Sequence, residues 1–131
     1  MNRSTINEIL KEGQVFIESF GYVLPPFAHW TADDWAARRG DASAIVDAGL
    51  GWDITDYGLG RYEDTGLFLF TVRNGLEADL KAGKGMLYAE KIMISRKDQL
   101  SPMHYHLVKA EDIINRGGGI LEREVYHREA G

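Results

Sequence analysis

The sequence changes its pattern at Gly51, and this change constrains the fold more than any other feature. Before Gly51, apolar residues recur at roughly helical intervals, and the only prolines are Pro25 and Pro26. After it, glycines separate short apolar segments that are rich in strand-forming residues. We therefore predict a helical arm over residues 1–50 and an antiparallel β region over residues 51–131, together a single domain of the α+β class.

The arm is expected to contain two helices and a short third one. Helical recurrence predicts the first helix over residues 4–20, where Gly13 weakens it by about 1 kcal/mol relative to alanine. Thr31 and Asp34 have the spacing of a capping box at the start of the second helix. A further short helical piece is expected within residues 41–50.

The β region contains three candidate strands. The first is GLFLFTVRNG, which ends at Asn74 and Gly75, the strongest short signal for a hairpin turn. The second, MLYAEKIMIS, starts at Met86. Glu90 and Lys91 are adjacent in it, so their side chains point to opposite faces of the sheet. One of them therefore faces the core, or the pair lies on an exposed edge of the sheet. The third strand holds two histidines.

These histidines, His104 and His106, are a candidate metal site. Alternate side chains of a strand point to the same face, so both imidazoles would point the same way. Glu111 follows His106 by five residues, an odd number, so on an unbroken strand its carboxylate would lie on the opposite face. A turn within residues 107–110 is therefore expected to bring the carboxylate to the face of the histidines. Two imidazoles and one carboxylate suit a divalent ion such as Mn, Fe, Co, Ni or Zn, with positions open for water or substrate. The alternative is a His-x-His pair on an exposed strand that binds no metal.

Composition excludes several classes of function. The net charge is -5 and no run of basic residues is present, which argues against nucleic acid or an anionic membrane as partner. There is no cysteine, so disulfides, thiolate metal sites and cysteine nucleophiles are excluded, and the cytoplasm is favoured. No segment approaches the ~18 apolar residues of a membrane span, and the first residues lack the apolar core of a secretion signal. We expect a soluble protein.

The spacing from His104 and His106 through Glu111 to Gly118 resembles the first signature motif of the cupin superfamily, small jelly-roll barrels. More narrowly, several short segments of the sequence are similar to segments of the D-lyxose isomerases. These segments are LPPFA, LGWDIT, LFTVRNG, YAEKIM, SPMHYH and KAEDIINRGGG. The similarity covers nearly the whole chain, and the segment KAEDIINRGGG is far more specific than the cupin motif.

The resemblance implies a metal-dependent isomerase that interconverts D-lyxose and D-xylulose, and also acts on D-mannose and D-fructose. It implies a helical arm followed by an antiparallel cupin-type barrel. His104, His106 and Glu111 match the family's ligands for a divalent metal, usually Mn²⁺, while Lys91 and Lys109 stand where the family has lysines lining the sugar site. Glu111 and both lysines are thus the candidate catalytic residues. Proton transfer through an enediolate is preferred to a hydride shift.

The chain also departs from the cupin pattern. A fourth ligand, a histidine from a later motif, is missing, and His127 is expected to be an exposed strand or tail residue. Asp98 stands where the motif usually begins with glycine, at a position that shapes a turn. The resemblance implies a polypeptide that continues past Gly131, so the barrel is expected to be incomplete and its open sheet edge to favour a homodimer or other association.

Two other functions stay open. One is a non-catalytic or truncated cupin module that binds metal or sugar, or that needs a second polypeptide to complete its site. The other is an iron-dependent oxygenase, which uses the same set of ligands. Outside these sites, Trp30 and Trp35 are expected to be packing residues, and His29 a loop residue without a function.

Overall fold

A computed structural model describes residues 1–107, 109–127 and 129 of the chain. The chain divides into two compact units, residues 1–101 and residues 102–131. The first unit is of the α+β class. It contains helix α1 (Arg3–Ser19), a 3-10 helix (Pro26–His29), α2 (Ala32–Ala37), α3 (Ser43–Asp47), strand β1 (Gly51–Thr55), β2 (Leu67–Arg73), α4 (Glu77–Lys81) and β3 (Glu90–Ile94). The described residues of the second unit form bends and irregular segments, without a helix or strand.

Helix α1 confirms the first predicted helix within one residue at each end. The side chain of Asn2 caps it by accepting a hydrogen bond from the backbone N–H of Thr5 at 2.9 Å. Its buried stripe consists of Ile9, Gly13 and Ile17, spaced by one helical turn each. This stripe is the side of the helix that contributes to the core.

Helices α2 and α3 also lie where the sequence predicts them. The capping box of α2 is complete, since the Thr31 N–H donates to Asp34 at 2.8 Å and the Asp34 N–H donates to the Thr31 hydroxyl at 3.2 Å. The carboxylate of Asp34 accepts from the Thr31 N–H and, at 2.9 Å, from the Thr31 hydroxyl, and these two bonds lower the pKa of the Asp34 carboxyl. Trp30 and Trp35 pack edge to face with ring centroids 4.9 Å apart, as expected of packing residues.

The three strands form one antiparallel sheet in the order β1-β2-β3. Trp52 pairs with Phe70 and Phe70 with Ile92, so all three side chains lie on the same face. Phe68 and Phe70, on that face, are almost fully buried, and they form the core together with the buried stripe of α1. The opposite face carries more exposed residues, among them Lys91 and Met93.

The predicted hairpin at Asn74 and Gly75 is wrong. β2 and β3 are antiparallel neighbours, but residues 74–89 separate them and include α4. The Asn74 side chain donates to the carbonyl of Ala48 at 3.1 Å, a partner far away in the sequence. β3 also begins at Glu90 rather than at Met86. The jelly-roll barrel itself stays a prediction, because the described residues contain three strands only.

In the described part of the chain, no helix is both long enough and apolar enough to cross a membrane. Within the first unit, β2 packs against α1 of the helical arm, because the ring of Phe68 lies against Gly13.

Candidate metal centre

All three predicted metal ligands lie in the second unit, but not on the strand that the sequence predicts. The described residues around His104 and His106 are irregular. The rings of the two histidines nevertheless stand next to each other, with centroids 4.9 Å apart and planes at 79°. The prediction that the two imidazoles are neighbours is therefore confirmed, whereas the strand that was expected to place them is wrong.

Glu111 reaches His106 in spite of the odd number of residues between them. The Nε2 atom of His106 lies 3.0 Å from the Oε1 atom of Glu111. The backbone bends at Leu107, and part of the predicted turn, Val108, lies outside the described residues. The chain thus folds back far enough to bring the carboxylate to the second imidazole.

His104 is oriented by the backbone. Its Nδ1 atom lies 3.0 Å from the carbonyl oxygen of Pro102. Because a carbonyl only accepts hydrogen bonds, Nδ1 carries the proton in this bond, and Nε2 keeps its lone pair. Metal-binding histidines commonly have their second nitrogen held in this way.

Lys109 shares an oxygen of Glu111 with His106. Its ammonium nitrogen lies 3.1 Å from Glu111 Oε1. The hydrogen bond from this cation lowers the pKa of the Glu111 carboxyl, and the smaller effect of burial opposes it. Glu111 is therefore an anion at neutral pH, which is the form that binds a cation. The side chains of His106 and Glu111 are 29% and 35% exposed, so both can be reached from solvent.

The donor set fits a divalent metal in its chemistry and in one distance. Two neighbouring ligands with bonds of about 2.1 Å to the same ion are about 3 Å apart in octahedral and about 3.4 Å apart in tetrahedral geometry. The ion pair of His106 Nε2 with Glu111 Oε1, at 3.0 Å, has the octahedral spacing. Among the residues that the structure describes, however, no group of three or more His, Cys, Asp or Glu side chains is gathered as a metal site. Coordination by all three would thus need an arrangement of these side chains that differs from the one described.

Lys91 belongs to the first unit. It pairs with Thr71 on β2, is exposed, and lies on the sheet face opposite Phe68 and Phe70. The neighbouring Glu90 is half-buried on the face that packs against α1, as the predicted alternation requires. Of the two, the acid therefore faces the core.

Glu90 is held in place by two partners. Its carboxylate lies 2.9 Å from the guanidinium of Arg73 and accepts a hydrogen bond from the Tyr22 hydroxyl at 3.3 Å.

The two remaining histidines have no metal-binding arrangement. The Nδ1 atom of His29 accepts a hydrogen bond from the Gln14 amide at 2.9 Å, in keeping with a structural residue. His127 is exposed and lies outside any strand.

The comparison with known proteins decides the family. The sequence profile of the D-lyxose isomerases matches residues 1–131. The chain belongs to the D-lyxose isomerase family. The resemblance of the segments from LPPFA to KAEDIINRGGG is thus confirmed as a true relationship rather than a chance similarity.

Two curated relatives of the D-lyxose isomerase family are similar over nearly the whole chain. One, named D-lyxose/D-mannose isomerase, from Serratia proteamaculans, is 44% identical over 130 residues, which are 98% of this chain and 56% of the relative. The other, of the same name, from Escherichia coli O157:H7, is 42% identical in an alignment 137 positions long, which covers 99% of this chain and 57% of the relative. The chain thus spans a little over half the length of these relatives.

Two residues that precede the histidines in the sequence make contacts that the sequence did not indicate. Arg96 and Gln99 make side-chain contacts with Glu12, Tyr62 and Glu63, which are 33 to 84 residues away along the chain. No motif or spacing relates such distant positions. Only the folded chain reveals these contacts.

Proposed function

We propose that the chain carries the metal-binding part of an aldose-ketose isomerase that interconverts D-lyxose and D-xylulose, with D-mannose and D-fructose as further substrates. The observation that carries this proposal is the match of the whole chain to the D-lyxose isomerase family. The relatives named D-lyxose/D-mannose isomerase support the choice of substrates. The neighbouring imidazoles of His104 and His106 and the carboxylate of Glu111 support a metal-dependent reaction.

His104, His106 and Glu111 would hold the metal, with Mn²⁺ preferred and Co²⁺, Fe²⁺, Ni²⁺ or Zn²⁺ possible by the same ligand chemistry. When bound, a divalent ion supplies positive charge that stabilises an anion developing on the sugar oxygens. The Nδ1 bond of His104 to the Pro102 carbonyl keeps the Nε2 lone pair available. The low pKa of Glu111 keeps its carboxylate ionised.

The lysines would act on the sugar by charge and hydrogen bonding. Lys109 has a side chain that is 55% exposed, so its ammonium can move from Glu111 to a sugar oxygen. Lys91, an exposed cation on β3, would hold a hydroxyl or polarise the carbonyl of the open-chain sugar. Glu111 would accept and return the proton that moves between C1 and C2, as a general base.

We propose a proton transfer rather than a hydride shift. An aldose becomes a ketose when the C2 proton leaves to form the C1–C2 enediolate, a proton is returned to C1, and the proton of the C2 hydroxyl passes to the C1 oxygen, so atoms and charge balance within the sugar. A proton held by a carboxylate exchanges with solvent, whereas a hydride does not. Isomerisation of D-lyxose in D₂O should therefore place deuterium at C1 of D-xylulose, as NMR would detect. Product without any label would contradict the proton transfer.

The sheet of the first unit would form part of a cupin-type barrel, which the pattern of a helical arm followed by antiparallel strands supports. The compartment of the protein would be the cytoplasm. Pairing at the edge of β1 or β3, as a homodimer or with another polypeptide, would complete the sheet.

The decisive experiment is an isomerase assay of the chain after metal removal. D-lyxose should be converted to D-xylulose only after Mn²⁺ is added back, and His104→Ala should abolish the conversion. His29→Ala is the matched control, since His29 is an exposed histidine of the first unit that bonds to Gln14. Turnover in the presence of a chelator would contradict the metal dependence.

A second candidate function is a module that becomes active only with another polypeptide. The coverage of 56% and 57% of the relatives favours it, and so does the lack of helix and strand in the described residues of the second unit. Native mass and metal content should be measured for the chain alone and together with any polypeptide encoded directly downstream. Dimers of the chain alone with one metal per protomer would exclude this alternative.

A further inference from the structure

The pairing of β2 with β3 changes register beside Lys91. Thr71 pairs with Lys91, but the next pair joins Arg73, and not Val72, to Glu90. Two residues of β2 thus stand opposite a single step of β3, which is the arrangement of a β-bulge. Bulges re-aim side chains, and this one lies next to a candidate catalytic lysine.

The register shift decides which face of the sheet Arg73 takes. In a regular ladder, Val72 would pair with Glu90, and Arg73 would follow Thr71 on the face of Lys91. In the structure, Val72 packs against the core. Arg73 also reaches the core side, where its Nε atom lies 2.9 Å from the carboxylate of Glu90. The bulge therefore takes the guanidinium away from the face of Lys91.

Glu90 has the contacts to hold the guanidinium there. One oxygen, Oε2, forms the ion pair with Arg73, and the other accepts a hydrogen bond from the Tyr22 hydroxyl at 3.3 Å. A hydrogen bond with Tyr88 and, after it, the charge of Glu90 raise the pKa of the Arg73 guanidinium. The side chains of Arg73 and Glu90 are 50% and 44% exposed. Because a pair as exposed as this contributes little to stability, its main effect is on the place of the cation.

We propose that Glu90 is a positioning residue for Lys91: its carboxylate holds Arg73 on the opposite face of the sheet and so keeps a second cation away from the lysine. The inference rests on the proposed function, in which the Lys91 ammonium acts on the sugar. All residues concerned lie in the first unit, and Lys91 follows Glu90 directly on β3.

A guanidinium on the lysine face would act on Lys91 by repulsion. Arg73 and Lys91 would then be diagonal neighbours on adjacent strands, about 7–8 Å apart. Two unit charges at this separation repel by an amount that corresponds to about 3- to 30-fold in a rate, for effective dielectric constants between that of water and that of a protein surface. The ammonium of Lys91 would thus lose part of its hold on a sugar oxygen.

The first test compares kcat/KM for D-lyxose among variants of the ion pair. Glu90→Met removes the carboxylate and keeps most of the side-chain volume, and it should lower kcat/KM by about 3- to 30-fold. Glu90→Gln keeps an oxygen that can accept from Arg73, so its loss should be smaller. Arg73→Met should keep the wild-type value, because no cation is left to change faces. For the same reason, Arg73→Met should restore kcat/KM when it is combined with Glu90→Met.

Nuclear Overhauser effects between backbone protons test the register without any turnover. In the wild-type chain they should join Arg73 to Glu90 across the strands. In Glu90→Met they should join Val72 to residue 90, and the Arg73 side chain should approach the methyl group of Thr71.

A matched control breaks another exposed ion pair of the first unit. Glu77→Gln removes the carboxylate that lies 2.8 Å from the Lys81 ammonium in α4. It should change neither the kinetics nor the cross-strand contacts.

Equal losses of kcat/KM in Arg73→Met and Glu90→Met would mean a merely structural ion pair and would overturn the inference, and so would a double variant that does not recover. An inactive wild-type chain, or wild-type kinetics in Lys91→Met, would contradict the proposed function instead. The cross-strand contacts then decide the role of Glu90 alone, since an unchanged pairing of Arg73 with residue 90 in Glu90→Met overturns it. Glu90→Gln provides a second variant if Glu90→Met does not fold, which circular dichroism would reveal.

Discussion

The Nε2 atom of His106 lies 3.0 Å from Oε1 of Glu111, so a carboxylate five residues away meets an imidazole at the spacing of two ligands of one ion. Glu111→Gln keeps the shape of the side chain and removes its negative charge. Because a neutral amide is a poorer ligand for a hard cation, Mn²⁺ affinity should fall by more than about 100-fold, the upper limit for groups that only support a ligand. Isothermal titration checks this, with Glu122→Gln as an exposed control in the same unit.

Lys91 offers a way to separate sugar chemistry from metal binding. Lys91→Met removes the cation from β3 and keeps most of the side-chain length. If the ammonium acts on the sugar, kcat/KM for D-lyxose should fall by about 100-fold or more, while Mn²⁺ affinity stays at the wild-type value. Steady-state kinetics and metal titration test both halves. Lys97→Met, at another exposed lysine, should leave the kinetics unchanged.

The capping box of α2 predicts a dependence of stability on pH. The bonds from Thr31 lower the pKa of Asp34 in the folded chain relative to the unfolded chain. The cap therefore contributes stability above the unfolded pKa, and this contribution is lost as the pH falls through the folded pKa. In Thr31→Ala, a ¹³C NMR titration should give a higher pKa for Asp34. The backbone N–H of residue 31 remains in this variant, so an unchanged pKa would show that the Thr31 hydroxyl does not contribute to the shift.

Gly13 in α1 predicts a reversal of the usual effect of alanine. In an exposed helix, Gly→Ala stabilises by about 1 kcal/mol, but a Cβ atom at position 13 would overlap the ring of Phe68. Gly13→Ala should therefore destabilise the chain by about 1–3 kcal/mol in urea unfolding, as overpacking does. Phe68→Leu, which makes room, should reduce that loss in the double variant. Purely additive losses would mean that the two positions do not interact.

Asp98 tests the turn that follows β3. Its φ of 59° is adopted readily by glycine and very poorly by a β-branched residue. Asp98→Val should cost about 1–2 kcal/mol. Asp98→Gly should stay within about 0.5 kcal/mol of the wild type, because relief of strain offsets the larger entropy of the unfolded chain. Chemical denaturation measures both, and Lys97→Val, one residue earlier, provides the comparison.

Predictions that depend on neighbours in the sequence agree best with the structure. The capping box joins Thr31 to Asp34 across three residues, and both of its bonds are present. The prediction that Asp98 shapes a turn is confirmed by its left-handed backbone. The hairpin at Asn74 is absent although its signal is local: residues 74–89, with α4, separate β2 from β3, and the Asn74 side chain bonds to Ala48, 26 residues away.

The sequence by itself determined the family, because the segment KAEDIINRGGG is specific to it. It also determined the helices of the arm, two strands of the sheet and the adjacency of the two imidazoles, because these depend on short spacings along the chain. Only the tertiary structure decided that Glu90 rather than Lys91 faces the core and that Gly13 lies against Phe68. It alone decided that Arg96 and Gln99 contact α1 and the loop before β2. The physical reason is that packing and long-range hydrogen bonds join residues far apart in the chain, and periodicity carries no information about such pairs.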